Sequence, residues 1–163
     1  MPRDPASDAV TIRTATLADL PLLMETGRMF VAESRWPVAF DPARAEFTLR
    51  AFLTLPIATV LLAERDGQAC GGAMLVLEWD CQDKPFGMFA KFYMLPWARG
   101  TGASRVLARA CVDWFDAHGC VASFTGATAN IGNDRLFANL MRKVGFEEAS
   151  DMPTLIRKGV SNA

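Results

Sequence analysis

The sequence predicts an α/β protein, a single sheet with helices on both faces, from three observations. Apolar residues alternate with period two in some stretches and recur at helical spacing in others, in the order βαα-βββ-αβαβ-β. Asp66-Gly67 separates two β-rich runs, which is a hairpin signal. Finally, 163 residues at 51% hydrophobic suffice for one core, with no repeat or low-complexity linker to divide it. Residues 1–163 therefore read as one domain, with 1–9 as a flexible N-terminal tail.

VTIRTA (10–15) alternates as a strand. Thr16 and Asp19 then form a capping pair before a helix from about Leu17 to Phe30, where Pro21 is tolerated in the first turn. Pro37 and Pro42 break the next stretch, and Phe47, Phe52 and Leu53 restore helical spacing before Pro56. TVLLAER and QACGGAMLVLEW flank Asp66-Gly67, whose residues readily take the positive φ angles of a type I′ turn. A polar loop around Asp80 to Pro85 leads into the strand FGMFAKFYML, which Pro96 ends.

From Ser104 onward Val106, Leu107, Ala110, Cys111, Trp114 and Phe115 form the stripe of a helix lying on a sheet, and His118-Gly119 stops it. The spacing puts Trp114 and Phe115 in the core and His118 at a helix C-terminus favoured by the dipole. VASFTGAT is a further strand. Leu136, Phe137, Leu140, Met141 and Val144 mark an amphipathic helix closed by Gly145, and short strands FEEAS and TLIRK finish the chain.

Composition narrows the function. Seventeen Lys and Arg against 18 acidic residues leave no basic field for nucleic acid or anionic lipid. No apolar run reaches the roughly 18 to 20 residues of a spanning helix, and MPRDPASDA has no signal-peptide core. The expectation is a soluble, cytoplasmic protein without nucleic acid or membrane partners. Cys70, Cys81, Cys111 and Cys120 form no CxxC pair and have only His118 to join them, so they read as reduced, mostly buried thiols, with no metal expected.

The segment LPWARGTGASRVL (95–107) concentrates the chemistry. It is not a Walker loop, since no lysine follows Gly102, and not a dinucleotide fingerprint, since Arg105 stands where the third glycine belongs. What survives is a helix start with free amide hydrogens and bare glycines, open to a diphosphate; a purely structural turn with a glycine N-cap is the other reading.

Strand, Leu95-Pro96, RGTGAS and amphipathic helix together resemble the acetyl-CoA motif of the GNAT N-acetyltransferase superfamily, commonly V-x-P-x-x-Q/R-G-x-G-I/A/V-G/A. IRTATLADLP near the start, the Asp-Gly hairpin and KVGFEE near the end extend the resemblance over nearly the whole chain. It implies a central mixed, mostly antiparallel sheet of six to seven strands flanked by about four helices, and acetyl-CoA as co-substrate. Arg99, Gly100, Thr101, Gly102, Ala103 and Ser104 would hold the diphosphate. Met94 and Leu95 would pair their backbone with the pantetheine arm, and Asn133 would contact that arm, with Asn130 as its competitor. A homodimer through late strands is common in the family.

The family's usual catalytic groups are displaced. Lys91 stands on the strand where a glutamate is frequent, Met141 takes the position of the late-helix tyrosine, and Tyr93 is the only tyrosine. Lys91 and Tyr93 share a strand face by alternation, either lining the acceptor pocket or lying under a helix. Glu33, in ESRW (33–36), would bind or deprotonate a cationic amine, with Trp36 covering its apolar part; otherwise it is a solvated helix end. Glu33 and Tyr93 are thus the catalytic candidates, with Glu78 and Asp80 reachable through water. The implied activity is direct acetyl transfer to a primary amine of a small molecule or protein. The rival is a CoA-binding sensor or interaction module that has lost turnover.

Overall fold

The computed structural model describes residues 9–34, 37–79, 81, 83–126, 134–148 and 154–158. The tail at 1–8, Arg35, Trp36, Asp80, Asn130 and Asn133 lie outside the described residues.

The elements are β1 (Thr11–Thr14), α1 (Leu20–Glu33), α2 (Pro42–Thr54), β2 (Ala58–Arg65), β3 (Gln68–Glu78), β4 (Phe86–Met94), α3 (Ala103–Ala117), β5 (Ala122–Gly126), α4 (Asp134–Lys143), β6 (Glu147–Glu148) and β7 (Thr154–Lys158). Single 3₁₀ turns at Leu17–Asp19 and Pro96–Ala98 precede α1 and α3. The α1 region departs from expectation at both ends. Its first turn tightens to 3₁₀, and α1 runs on to Glu33, where Ser34 turns extended and its hydroxyl donates to the Val31 carbonyl (2.8 Å). Those last residues carry Glu33 into the functional region. The strand expected over FEEAS is described only at Glu147–Glu148.

Among the described residues the strands form one sheet in the order β1-β2-β3-β4-β5-β7-β6. Neighbours run antiparallel except β4 and β5, which are parallel. The β2–β3 hairpin turns on Asp66 (φ 52°) and Gly67 (φ 73°), the positive pair that a type I′ turn requires. Alternation along β2 divides the core. Val60 and Leu62 face Leu20, Leu23 and Leu49 from α1 and α2, while Leu61 and Ala63 face Leu107, Cys111 and Phe115 from α3. α4 closes the far side, with Met141, Val144 and Phe146 against Ala108 and Val112.

Two features of β4 give the functional region its shape. Its pairing with β3 slips between Met74–Lys91 and Leu75–Phe89, leaving Ala90 as an extra, exposed residue. The bulge puts Phe89 and Phe92 on the α3–α4 face, while Lys91 and Tyr93 turn toward α1. Secondly, β4 pairs with β5 only from Phe86 to Met88, and β5 then continues along β7. The strands join at one end and splay beyond it, so β4 from Phe89 to Met94 borders a cleft. Phe115 packs directly on Gly87 at the joined end, where a Cβ would collide with its ring.

Candidate functional site

The open edge of β4 leads into the glycine turn. The Leu95 N–H donates to the Cys70 carbonyl on β3 (2.8 Å), and the Leu95 carbonyl accepts from Ala98 N–H (2.9 Å). Both backbone groups of Leu95 are thus engaged within the protein. By the alternation of an antiparallel ladder, Met94 and Phe92 present theirs to the cleft instead. The outward backbone groups nearest the end of β4 are therefore those of Phe92 and of Met94, whose carbonyl accepts from Arg99 Nε. Sequence reasoning singled out this strand end but had no means of fixing which residues of β4 pair with β3.

Past the 3₁₀ turn the chain takes left-handed conformations at Gly100 (φ 77°) and Gly102 (φ 86°), the latter being the N-cap of α3. L-residues disfavour this region, which accounts for glycine at both positions. A Cβ at either would meet nothing within 4 Å. The space in front of the turn is open, and bare backbone borders it. The N–H groups of Gly100, Gly102, Ala103 and Ser104 have no acceptor among the described residues, as expected for a helix start. Amides without acceptors at the positive end of a helix dipole suit a diphosphate, so the residues present fit the group that the motif implies. Ala103 itself is buried and anchors α3, while Ser104 is half-buried beside the turn.

The cationic side chains at this turn are arranged differently from expectation. Arg99 points along the cleft: its Nε donates to the Met94 carbonyl (3.0 Å) and its Nη2 to Glu33 Oε2 (2.6 Å). Its guanidinium carbon lies 5.6 Å from the centre of the Tyr93 ring. A second cation, absent from the sequence reading, comes from the end of β2: Arg65 Nη2 donates to the Thr101 carbonyl (3.2 Å). Its Nε is buried without an acceptor among the described residues. The only hint in the sequence was the position of Arg65 directly before the Asp-Gly turn.

Beside the turn, on the α1 side of β4, the two catalytic candidates meet. Tyr93 Oη donates to Glu33 Oε1 (3.0 Å), so Glu33 is held through both oxygens, by a phenol and by a guanidinium. Phe30 meets the Tyr93 ring edge-on at 5.7 Å, and the Lys91 ammonium lies 4.8 Å from the centre of the Phe30 ring. Lys91 and Tyr93 thus face α1 together. Burial, reinforced by the Glu33 carboxylate, pushes the Tyr93 phenol up to about 12, while burial pulls the Lys91 ammonium below its ordinary value. Tyr93 remains protonated at neutral pH and holds Glu33 as a hydrogen-bond donor.

The remaining candidates take structural places. Met141 is fully buried, so the family's acid position is core here. The His118 ring nitrogen Nδ1 contacts the Trp114 carbonyl (2.7 Å) at the end of α3, as the dipole argument anticipates. Cys70, Cys111 and Cys120 are buried and Cys81 exposed. Among the described residues no group of three or more His, Cys, Asp or Glu could hold a metal ion, and no helix is long and apolar enough to cross a membrane.

A sheet splayed between its parallel strands, with a glycine-lined helix start at the mouth of the splay, defines the architecture of a CoA-dependent acyltransferase. Residues 25–146 match the model of the acetyltransferase (GNAT) family, and the chain belongs to that family. No curated protein sequence matches it. Among solved structures, one from Salmonella typhimurium, described as a putative acetyltransferase with its cofactor acetyl-CoA, superposes with a TM-score of 0.75 at 20% identity, over 95% of this chain and 96% of that one. AAC(6')-Iy in complex with a CoA bisubstrate analogue gives 0.70 at 20%, over 88% and 95%. An aminoglycoside 6'-N-acetyltransferase from Acinetobacter haemolyticus gives 0.64 at 22%, over 87% and 94%. At these identities the likeness is one of fold.

Proposed function

We propose that the chain is a cytoplasmic acetyl-CoA-dependent N-acetyltransferase that transfers the acetyl group directly to a primary amine of a small molecule or protein. The observation that carries this reading is the turn at Gly100–Ser104: two left-handed glycines facing open space, and N–H groups without acceptors among the described residues, set past the end of β4, which parts from β5 after Met88. Gly100, Thr101, Gly102, Ala103 and Ser104 would hold the diphosphate through the main chain. Met94 and Phe92 would pair with the pantetheine arm, and Asn133, outside the described residues, is the further contact that the family resemblance implies. The bound thioester supplies an activated acyl carbon, and the protein's task is to bring an amine to it.

Magnitudes favour positioning over proton chemistry. An alkylamine with a pKa of about 10.4 is roughly 99.9% protonated at pH 7, which costs about 4 to 5 kcal/mol. A dedicated base or acid contributes roughly 3 to 5 kcal/mol, whereas holding two reactants at attack distance contributes about 7 to 11 kcal/mol. The site accordingly works without the family's customary pair. Glu33 attracts the cationic acceptor molecule to the site, and Tyr93 holds Glu33 in place with a proton that it keeps.

A CoA-binding module without turnover is the second reading, favoured by the burial of Met141 and by the engagement of both Glu33 oxygens. Thiol release over a broad amine panel decides between them. Acetyl-CoA-dependent release with at least one amine class supports the enzyme; acetyl-CoA binding with no transfer to any acceptor supports the module.

A further inference from the structure

Glu33 sits between a guanidinium and an aromatic ring, and an acetyltransferase has a use for both neighbours. A carboxylate bonded to the hydroxyl of a tyrosine leaves the ring face beside it for an organic cation, and here the pair already holds one. Arg99 is ion-paired to Glu33 at 2.6 Å and lies over Tyr93 at 5.6 Å. The adjoining aromatic face, that of Phe30, carries the Lys91 ammonium. The α1 side of β4 beside the turn is thus a cation site filled by the chain's own cations.

Arg99 is the more exchangeable of the two. Its side chain is 43% exposed and that of Glu33 28%, and ion pairs so exposed are weak. It also directly precedes Gly100, whose turn would receive a diphosphate. A doubly charged anion one residue away competes with Glu33 for the same guanidinium.

We infer that Glu33 and the Tyr93 ring form a cation subsite that Arg99 occupies in the free protein and that, once acetyl-CoA is bound, takes the second cationic group of a diamine or polyamine acceptor. This rests on the acetyltransferase reading and adds the class of acceptor. The requirement for a second group follows from charge. A nitrogen held by a carboxylate over a ring is held by its positive charge, whereas the attacking nitrogen must be neutral. One nitrogen cannot meet both conditions at once. The neutral nitrogen forms the new N–C bond, the C–S bond breaks, sulfur leaves with the electron pair, and the proton that the nitrogen gives up passes to that sulfur, directly or through water, to give the free thiol of CoA. The ammonium at Glu33 is unchanged throughout. Lys91 limits the subsite to the Tyr93 side and disfavours a cation placed deeper.

The full chain tests this with 1-aminobutane and 1,4-diaminobutane as matched acceptors at saturating acetyl-CoA, and with calorimetry for each ligand separately. The diamine should exceed the monoamine in kcat/KM by about tenfold or more, mainly through KM, and Glu33→Gln should bring the ratio near the factor of two that two equivalent nitrogens give. Arg99→Gln should tighten diamine binding several-fold in CoA-free protein, opposite in sign to simple damage to the site. A wild-type ratio near two, or a large ratio that survives Glu33→Gln, overturns the inference. So does acetyl-CoA binding without diamine binding or transfer, which leaves the cofactor assignment standing; failure of acetyl-CoA to bind removes both.

Discussion

At the glycine turn, binding capacity lies in the main chain: Gly100 and Gly102 take a left-handed path bordered by open space, with N–H groups that have no acceptor among the described residues. At the neighbouring cluster under α1 it lies in side chains, with Tyr93 and Arg99 reaching Glu33 from positions 60 and 66 residues away in the chain. The first end recognises a charge pattern through geometry that a short segment specifies by itself. The second exists only after α1 has docked on the sheet. A shared CoA moiety and a variable acceptor would call for this division, since a local loop is hard to retune and a set of long side chains is not.

The largest expected effect comes from breaking the main-chain end. Gly102→Val should lower acetyl-CoA affinity about tenfold or more, about 1.4 kcal/mol, because valine resists φ near 86°. Gly119→Val is the matched control: its φ of 68° carries similar strain, its Cβ also meets nothing, and it lies at the opposite end of α3. Both variants should lose roughly 1 to 2 kcal/mol of stability, but only the first should lose affinity in a calorimetric titration. Equal affinities would assign the turn a purely structural part.

The side-chain end is sharpened by titration. Tyr93 is the only tyrosine, so ultraviolet absorbance reports it without overlap from a second phenol. Its phenolate should appear near pH 12 rather than near the ordinary value of about 10. A pKa raised by folding favours the protonated native state, so the associated stability is complete below about pH 10 and is lost as pH rises through about 12. A midpoint near 10 in the folded protein would mean that Tyr93 is neither buried nor bonded to Glu33.

Glu33→Gln should have a smaller effect on the fold. It removes the carboxylate that helps hold the phenol neutral, so the Tyr93 midpoint should fall while burial keeps it above the ordinary value. The lost ion pair is partly exposed, so thermal or denaturant unfolding should register no more than about 1 kcal/mol. An unmoved midpoint would break the link between Glu33 and Tyr93.

The same contrast explains what could be read before folding. The glycine turn was legible because its determinants are contiguous: two glycines, a preceding proline and the onset of an apolar helical stripe. The element order was legible for the same reason, since periodicity and the Asp66-Gly67 turn are local. That Leu95 is committed to Cys70 depended on the register of β3 against β4. That Arg99 faces Glu33 depended on α1 running past Phe30, where the sequence pattern ended it, to Glu33. Arg65 reached the turn through the β2–β3 hairpin, a placement that no linear spacing encodes.

The most direct test is an acetyl-CoA titration followed by backbone amide NMR. If free main-chain N–H groups hold the diphosphate, the amide signals of Gly100, Gly102, Ala103 and Ser104 should shift most, and downfield, as expected for hydrogen bonds to an anion, with Phe92 and Met94 following. Saturable binding that leaves those four signals in place and moves another region would contradict the account.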